Sequence, residues 1–311
     1  MKYYYLQIKE GYKPFFDCVD KWLDKNHFAA IFSLNSIDEF LSDKKGLSKD
    51  SKNFVKTFYE NKEESILVSI GSKEENNKKS DYLYIYKKSG KISEYKGLSA
   101  KYKVDISHYK TKPDIVIGFP ITLIAEIPVV KAPLVISTIK SNQYLSRGTF
   151  KELWKRPIKD DPESTFNSYF GNRKAIDYLI TGKSVQVDNF EQYLECLSSI
   201  EFETLIAKIK EEQGYFVPAY KGGSFKDYDI LCFKKNKEEY IQAKLNLSKD
   251  TFKDYKDIKD LNIYCVHSEV DKQKYQNIFN YEDIQKQLES CPKTKEWLKR
   301  SLNWVSIKRS K

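Results

Sequence analysis

Histidine is nearly absent from this 311-residue chain. The three that occur, His27, His108 and His267, are scattered, so neither a histidine-based metal centre nor a serine triad has support. Cysteine is as sparse. Cys18, Cys196, Cys232, Cys265 and Cys291 are odd in number, far apart and never at zinc-ligand spacing, which speaks against a disulfide framework and fits a reduced, cytoplasmic compartment. Long apolar runs are missing too. The one membrane-span candidate, Ile115 to Ile139, holds Pro120, Glu126, Pro128, Lys131 and Pro133, which break it into short strands and exclude a bilayer helix. Met1-Lys2 leads into Tyr3-Tyr4-Tyr5 and charged residues without an apolar core or cleavage site, so no signal peptide is expected. There is no internal repeat and no low-complexity tract. A phosphate-binding loop is excluded at Gly182-Lys183-Ser184, because Asp177 stands where the upstream glycine belongs.

What the chain has is positive charge. A net charge of +10 favours a polyanionic partner, although a lysine-rich surface also arises from compositional bias. Between Lys131 and Val185 there are ten Lys or Arg against five Asp or Glu, half of the excess.

The chemistry concentrates near the carboxy terminus. Tyr228-Asp229-Ile230-Leu231-Cys232-Phe233-Lys234-Lys235 and Tyr240-Ile241-Gln242-Ala243-Lys244 are apolar, β-favouring segments. The polar Asn236-Lys237-Glu238-Glu239 between them reads as a turn, which predicts a hairpin. Side chains alternate faces along a strand, and residues directly opposite share a face. A loop with an even number of residues, such as Asn236-Lys237 or Lys235 to Glu238, makes Asp229, Gln242 and Lys244 project together. An odd loop sends Asp229 to the other face.

A carboxylate, an amide oxygen and an ammonium within about 5 to 8 Å across a sheet suit phosphodiester hydrolysis with a divalent cation. Magnesium takes oxygen ligands and keeps several waters, so one carboxylate and one or two neutral oxygens suffice. A neighbouring lysine orients or deprotonates the attacking water, or meets the charge developing on phosphorus. The plain alternative is a strand whose Gln242 and Lys244 face solvent.

The order of Ser198-Ser199-Ile200-Glu201-Phe202-Glu203-Thr204-Leu205-Ile206-Ala207, Gly214-Tyr215, Gly222-Gly223, Asp229-Ile230-Leu231 and Gln242-Ala243-Lys244 resembles the Mrr-type branch of the PD-(D/E)xK endonucleases, in which Gln-x-Lys replaces Glu-x-Lys. The resemblance covers Ser198 to about Glu269, roughly the last third of the chain. It implies Asp229 and Gln242 at a Mg2+ ion, with Mn2+ as a substitute, Lys244 beside the attacking water and Glu203 as a further acid from the preceding helix. The approach to Asp229, Ser224-Phe225-Lys226-Asp227-Tyr228, is less glycine-rich than the family's and leaves Asp227 as a competitor. The helix itself follows from Phe202, Leu205, Ile206 and Ile209 at i, i+3, i+4 and i+7, with Ser198 or Ser199 as N-cap. Either Glu201 or Glu203 flanks that apolar stripe and is able to lean inward or remain on a solvated surface; only the family pattern prefers Glu203. Two other nuclease patterns fail. His108-Tyr109-Lys110 with Asp114 is one residue short of phospholipase-D-type spacing, and Pro113-Asp114 is followed by Glu126-Ile127-Pro128 without the required lysine.

The expected fold class is α/β, α+β overall, in two domains. Residues 1–154 form a β-rich target-recognition domain with strands at Glu64–Ser72, Asp81–Lys88 and Val104–Tyr109, short strands in Ile115–Ile139, helices at Phe15–Asn26 and Ser36–Ser42, and loops at Lys73–Ser80 and Lys87–Lys96. Within it Ile136-Ser137-Thr138-Ile139 through Tyr144–Phe150 faintly resembles PUA and EVE β-barrels, some of which read modified bases, and the resemblance assigns no base pocket. Its tyrosines and tryptophans, Tyr82, Tyr84 and Tyr86 among them, offer stacking surfaces but mostly suit a core. Residues 155–197 form a basic helical linker in which Arg156, Arg173 and Lys174 either grip phosphates or are simply solvated. Residues 198–311 form an α/β/α nuclease domain with a central mixed sheet, a polar helix over Lys249–Asp260, a strand at Leu261–Val266, helices at Tyr281–Leu288 and Lys295–Trp304, and a frayed basic end at Lys308–Lys311. The function expected is a Mg2+-dependent deoxyribonuclease of restriction or phage-defence character, modification-dependent recognition included, acting on double-stranded DNA as a homodimer. A DNA-binding protein on a nuclease-like scaffold that has lost catalysis is the alternative, since Gln242 carries one charge fewer than glutamate.

Overall fold

A computed structural model describes residues 2–6, 28–32, 37–42, 64–75, 78–88, 90–91, 93–96, 115–136, 150–153, 170–220 and 228–308. The fold is α+β, and the chain divides into two compact units: Met1–Ala132 with Ile139–Lys155, and Pro133–Thr138 with Arg156–Lys311. The expected helix at Phe15–Asn26, the strand at Val104–Tyr109, the patterns at His108–Asp114, Arg156, Asp227, most of the PUA-like stretch and the last three residues lie outside the described residues.

The first unit is built on a seven-stranded mixed sheet of β1 (Lys2–Leu6), β2 (Phe28–Phe32), β3 (Ser65–Glu75), β4 (Lys78–Lys88), β5 (Ser93–Lys96), β6 (Ile115–Pro128) and β7 (Phe150–Leu153), with the short helix α1 (Ile37–Leu41) after β2. The path runs β2-β6-β4-β3-β1-β7, with β5 also on β6. Ile66, Val68, Leu83 and Ile85 point to one face of the β3–β4 hairpin and are buried, as alternation requires. Tyr82, Tyr84 and Tyr86 line the other face in a ladder with ring centroids 6.4 and 6.2 Å apart.

Three expectations are corrected here. The Lys73–Ser80 loop is mostly ladder, because Glu75 pairs with Lys78 and Glu74 with Lys79, so opposite charges face one another across two polar strand ends. Lys87–Lys96 likewise contains a strand, β5. The proline-punctuated run is one continuous strand as far as Pro128. Pro120 is the last β6 residue paired with β2, opposite Phe28, and pairing with β4 begins at Ile121, so the proline sits at the end of one ladder.

In the second unit the described part opens with α2 (Phe170–Thr181), β8 (Val185–Val187) and α3 (Phe190–Leu194), so the expected linker is folded structure from Phe170 onward. Ala175, Ile176, Val187, Leu194, Cys196 and Leu197 are buried, and β8 pairs in parallel with β14 (Val305–Ile307), more than a hundred residues away. Val135 and Ile136, from the far side of the first unit's sequence, are buried as well, and Asn172 Nδ2 donates to Val135 O at 2.8 Å. Gly171 allows α2 to approach the end of α3: a Cβ there would lie 2.5 Å from Glu195 O and 2.8 Å from Cys196 Cα. Gly171→Ala is therefore expected to destabilise this unit by about 1–3 kcal/mol in chemical denaturation, the cost of overpacking against backbone that cannot yield.

The remaining elements follow: α4 (Ser199–Glu212), β9 (Phe216–Tyr220), β10 (Ile230–Lys234), β11 (Lys237–Leu247), α5 (Lys249–Lys253), β12 (Leu261–Ser268), β13 (Ile278–Phe279), α6 (Tyr281–Glu289) and α7 (Pro292–Ser301). The sheet is ordered β13-β12-β11-β10-β9, antiparallel from β9 to β11 and parallel from β11 to β13, the expected mixed sheet. Leu261, Ile263 and Cys265 of β12 join Leu247, Phe252, Val270 and Ile278 in a core capped by Tyr228, Tyr240, Tyr255 and Ile258. Tyr264, from the opposite face of β12, is buried and stacks on Phe279 at 4.7 Å, so both faces are covered. Two helices differ from expectation: α5 is one short turn, and α7 starts at Pro292 and stops before Trp304, whose successor residues form β14. His267, at the end of β12, ties α3 to the sheet, with Nδ1 2.8 Å from Glu191 and Nε2 2.7 Å from Glu195.

Candidate active site

Helix α4 begins where the sequence places it. Ser198 accepts a hydrogen bond from the Glu201 N–H, and the Glu201 carboxylate accepts from Ser198 N at 2.9 Å and Oγ at 2.8 Å, a complete capping box. Glu201 is thereby consumed by the helix start, which leaves Glu203 as the inward acid. Phe202, Leu205, Ile206 and Ile209 are fully buried, each contributing about 1.5–3 kcal/mol to holding the helix on the sheet. Gly214 ends it with φ +86°, and the N–H groups of Gly214 and Tyr215 return to Glu211 O and Lys210 O, both at 2.9 Å. That is a Schellman termination, and it requires glycine at this position.

The β10–β11 hairpin turns through Lys235 and Asn236, with Lys234 paired to Lys237. The loop is even, so the register brings Asp229 opposite Gln242, as the parity argument requires, but it is one residue earlier than either loop considered from the sequence. Lys237, Glu238 and Glu239 consequently belong to the strand and not to the turn, a correction with consequences below.

Asp229 is 7% exposed and Gln242 1%. Asp229 Oδ2 accepts from the Gln242 side-chain amide and, at 2.9 Å, from the Ala243 N–H, while Lys244 Nζ lies 3.5 Å away. The Asp229 N–H, just before β10, donates to Ile241 O at 2.8 Å, which ties its backbone to β11. Lys244 keeps 31% of its side chain exposed and sits 6.0 Å from the Tyr255 ring, so its ammonium faces both the acid and solvent. Glu203 reaches the same group electrostatically. Burial, then the charge of Asp229, push its carboxyl up to about 7 against the opposing pull of Lys244. Gln242 and Lys244 thus share the Asp229 carboxylate, and Glu203 is linked to Asp229 and Lys244 through charge.

Gln242 Oε1 is buried and receives no hydrogen bond. Leaving a buried acceptor unmade costs about 1–3 kcal/mol, so this atom fits a cation ligand. Turning the amide over, an assignment that rests on hydrogen-bonding logic, would set Oε1 against the Asp229 carboxylate, a repulsion that a shared cation relieves. Among the described residues no group of three or more His, Cys, Asp and Glu converges as a metal cage. The donor set here, two carboxylates and an amide oxygen, suits a hard ion that retains waters.

Two of the residues expected to grip phosphate are described, both on one helix. Arg173 is exposed on α2, and Lys174 lies 5.3 Å from the Phe170 ring on the same helix. A group the sequence reading did not single out is Glu239 with Lys210 and Tyr215. Lys210 Nζ meets Glu239 Oε2 at 2.7 Å, and Tyr215 OH donates to Oε1 at 2.8 Å. Burial works against both charges, yet the hydrogen bonds hold Glu239 below its usual pKa and Lys210 above its own. The sequence signal was a glutamate at an inward-facing strand position, masked by its charged neighbours. No protein-family model matches the chain, and no curated protein matches it.

Proposed function

We propose that this protein is a metal-dependent DNA endonuclease of restriction or phage-defence type, with the carboxy-terminal unit cutting and the amino-terminal unit selecting the target, modified bases included. The observation that carries the reading is the buried Gln242 Oε1, which receives no hydrogen bond, on an amide bonded to Asp229, with the Lys244 ammonium 3.5 Å from the same carboxylate and Glu203 coupled to both charges. Asp229 and Gln242 would hold Mg2+ or Mn2+. When bound, such an ion neutralises charge on the phosphate and acidifies a water. Lys244 orients the attacking water and donates to a phosphate oxygen, since its ammonium is both anchored by Asp229 and open to solvent. Glu203, with its pKa near neutrality, holds or takes up a proton at its carboxyl.

Charge supports the division of labour. Residues 156–311 carry 27 Lys and Arg against 25 Asp and Glu, so eight of the ten excess charges precede Arg156. A basic reader attached to a nearly neutral cutter suits a polyanion held mainly by the first unit. The test is supercoiled plasmid incubated with Mg2+ or Mn2+, with and without chelator. Metal-dependent nicking supports the enzyme; a mobility shift without cleavage supports a binding protein on a nuclease-like scaffold, and cleavage of RNA alone redirects the substrate.

Glu203 gives this reading a pH signature. A carboxyl raised from 4.5 to about 7 contributes stability that is fully present below pH 4.5 and is lost as pH rises through about 7. The metal-free protein is expected to lose on the order of 1–2 kcal/mol over that window, discounted for the group's partial exposure, and Glu203→Gln to lose none of it. In metal-limited cleavage the wild type should gain about tenfold per pH unit up to about 7 and then level, while the Gln variant stays flat there. Thermal melts and initial rates from pH 5 to 8.5 read both.

A further inference from the structure

The Lys210–Glu239 pair is the most heavily enclosed ion pair among the described residues, with both side chains 8% exposed. Both of its charges have several partners. Besides Tyr215, Glu239 receives Lys237 Nζ at 3.3 Å and Asn262 Nδ2 at 3.5 Å, and Lys210 lies over the rings of Tyr215 at 4.8 Å and Tyr264 at 5.6 Å. Stability alone does not account for such a pair, because well-packed apolar residues of similar volume generally serve as well or better.

Its place in the fold suggests what it does. Lys210 follows Glu203 by seven residues, which is two turns on the same helix face and about 10.5 Å along α4. Glu239 precedes Gln242 by three residues, about 10 Å along β11, and by alternation its side chain points to the α4 face while that of Gln242 points to the other. The two legs are equal in axial length, so the pair sets how far along β11 the helix carries Glu203. The apolar contacts between α4 and the sheet are non-directional and tolerate a small axial slide; a buried, hydrogen-bonded charge pair does not.

We propose that Lys210 and Glu239 are positioning residues that lock the axial register of α4 on β11 and thereby hold Glu203 at the level of Asp229. The proposal rests on the metal-site reading above. A displacement of about 1 Å at a reacting group is enough to cost roughly a hundredfold in rate.

The test is the double variant Lys210→Met/Glu239→Leu, which removes both charges and keeps the volume, with Glu239→Gln, which keeps shape and an acceptor oxygen, measured in parallel. Calorimetric Mn2+ titration and plasmid cleavage are run well below the melting temperature of each folded protein. The double variant is expected to bind Mn2+ at least tenfold more weakly and to cut about a hundredfold more slowly, and Glu239→Gln to lose about threefold in Mn2+ affinity. Lys210→Arg, which retains the charge pair, should remain within about threefold of wild type on both readings. Wild-type Mn2+ affinity in whichever of the first two variants folds overturns the positioning role. Wild-type protein that binds no Mn2+ overturns the metal site itself, and the positioning role with it.

Discussion

Asp229→Asn is expected to abolish metal-dependent cleavage, by a thousandfold or more on the order-of-magnitude scale of lost charge stabilisation, while leaving DNA affinity within about threefold. The substitution keeps the side chain's volume in a site that is 7% exposed and keeps an oxygen for the Ala243 N–H, so the fold has little reason to change. What disappears is the negative charge 3.5 Å from Lys244 and bonded by the Gln242 amide, the charge proposed to hold the ion. Lys244→Met should fall by a similar factor through the loss of the water-orienting ammonium. Glu201→Gln is the control. Its carboxylate serves the capping box, so it should cost up to about 1 kcal/mol in stability and leave the rate unchanged. Undiminished nicking by Asp229→Asn, or a drop in Glu201→Gln equal to the others, would sink the assignment.

The legible part of this protein was its local part. Alternating faces and an even loop were sufficient to bring Asp229, Gln242 and Lys244 together, because hairpin register is set within a dozen residues. Helix α4 was legible for the same reason: a four-residue apolar stripe and a capping serine act over short range. Several of the failures are long-range. Glu239 looked like turn because its charge is tolerable inside only if Lys210, 29 positions earlier, comes to meet it. Three-residue strands such as β8 and β14 carry no signal of their own and exist because they pair with each other across the unit. Pro120 looked like a strand breaker because a sequence does not say where a long strand changes partners. The stretch assigned to a linker was read from its charges, although Ala175, Ile176 and Leu194 already supplied a buried face.

Gln242→Glu is expected to have the second large effect, and in opposite directions with and without metal. Gln242 is 1% exposed and its amide donates directly to Asp229 Oδ2. Replacing the donor with oxygen sets two carboxylates in contact, so one of them keeps a proton well above its usual range or both charges are held at high cost. The metal-free variant at pH 8 should therefore lose on the order of 2–4 kcal/mol, a fall of roughly 5–15 °C in melting temperature for a unit of this size. A divalent cation removes the repulsion and gains a charged ligand in place of a neutral one, so Mn2+ affinity should rise by about tenfold or more and excess Mn2+ should restore most of the lost melting temperature. An equal fall with and without Mn2+ would mean that the two side chains do not share an ion. The expected crossover would show why glutamine suits this position: it avoids a carboxylate pair in the metal-free protein, at the expense of tighter metal binding, and Glu203, ionising near neutrality, supplies the second negative charge as pH rises through about 7.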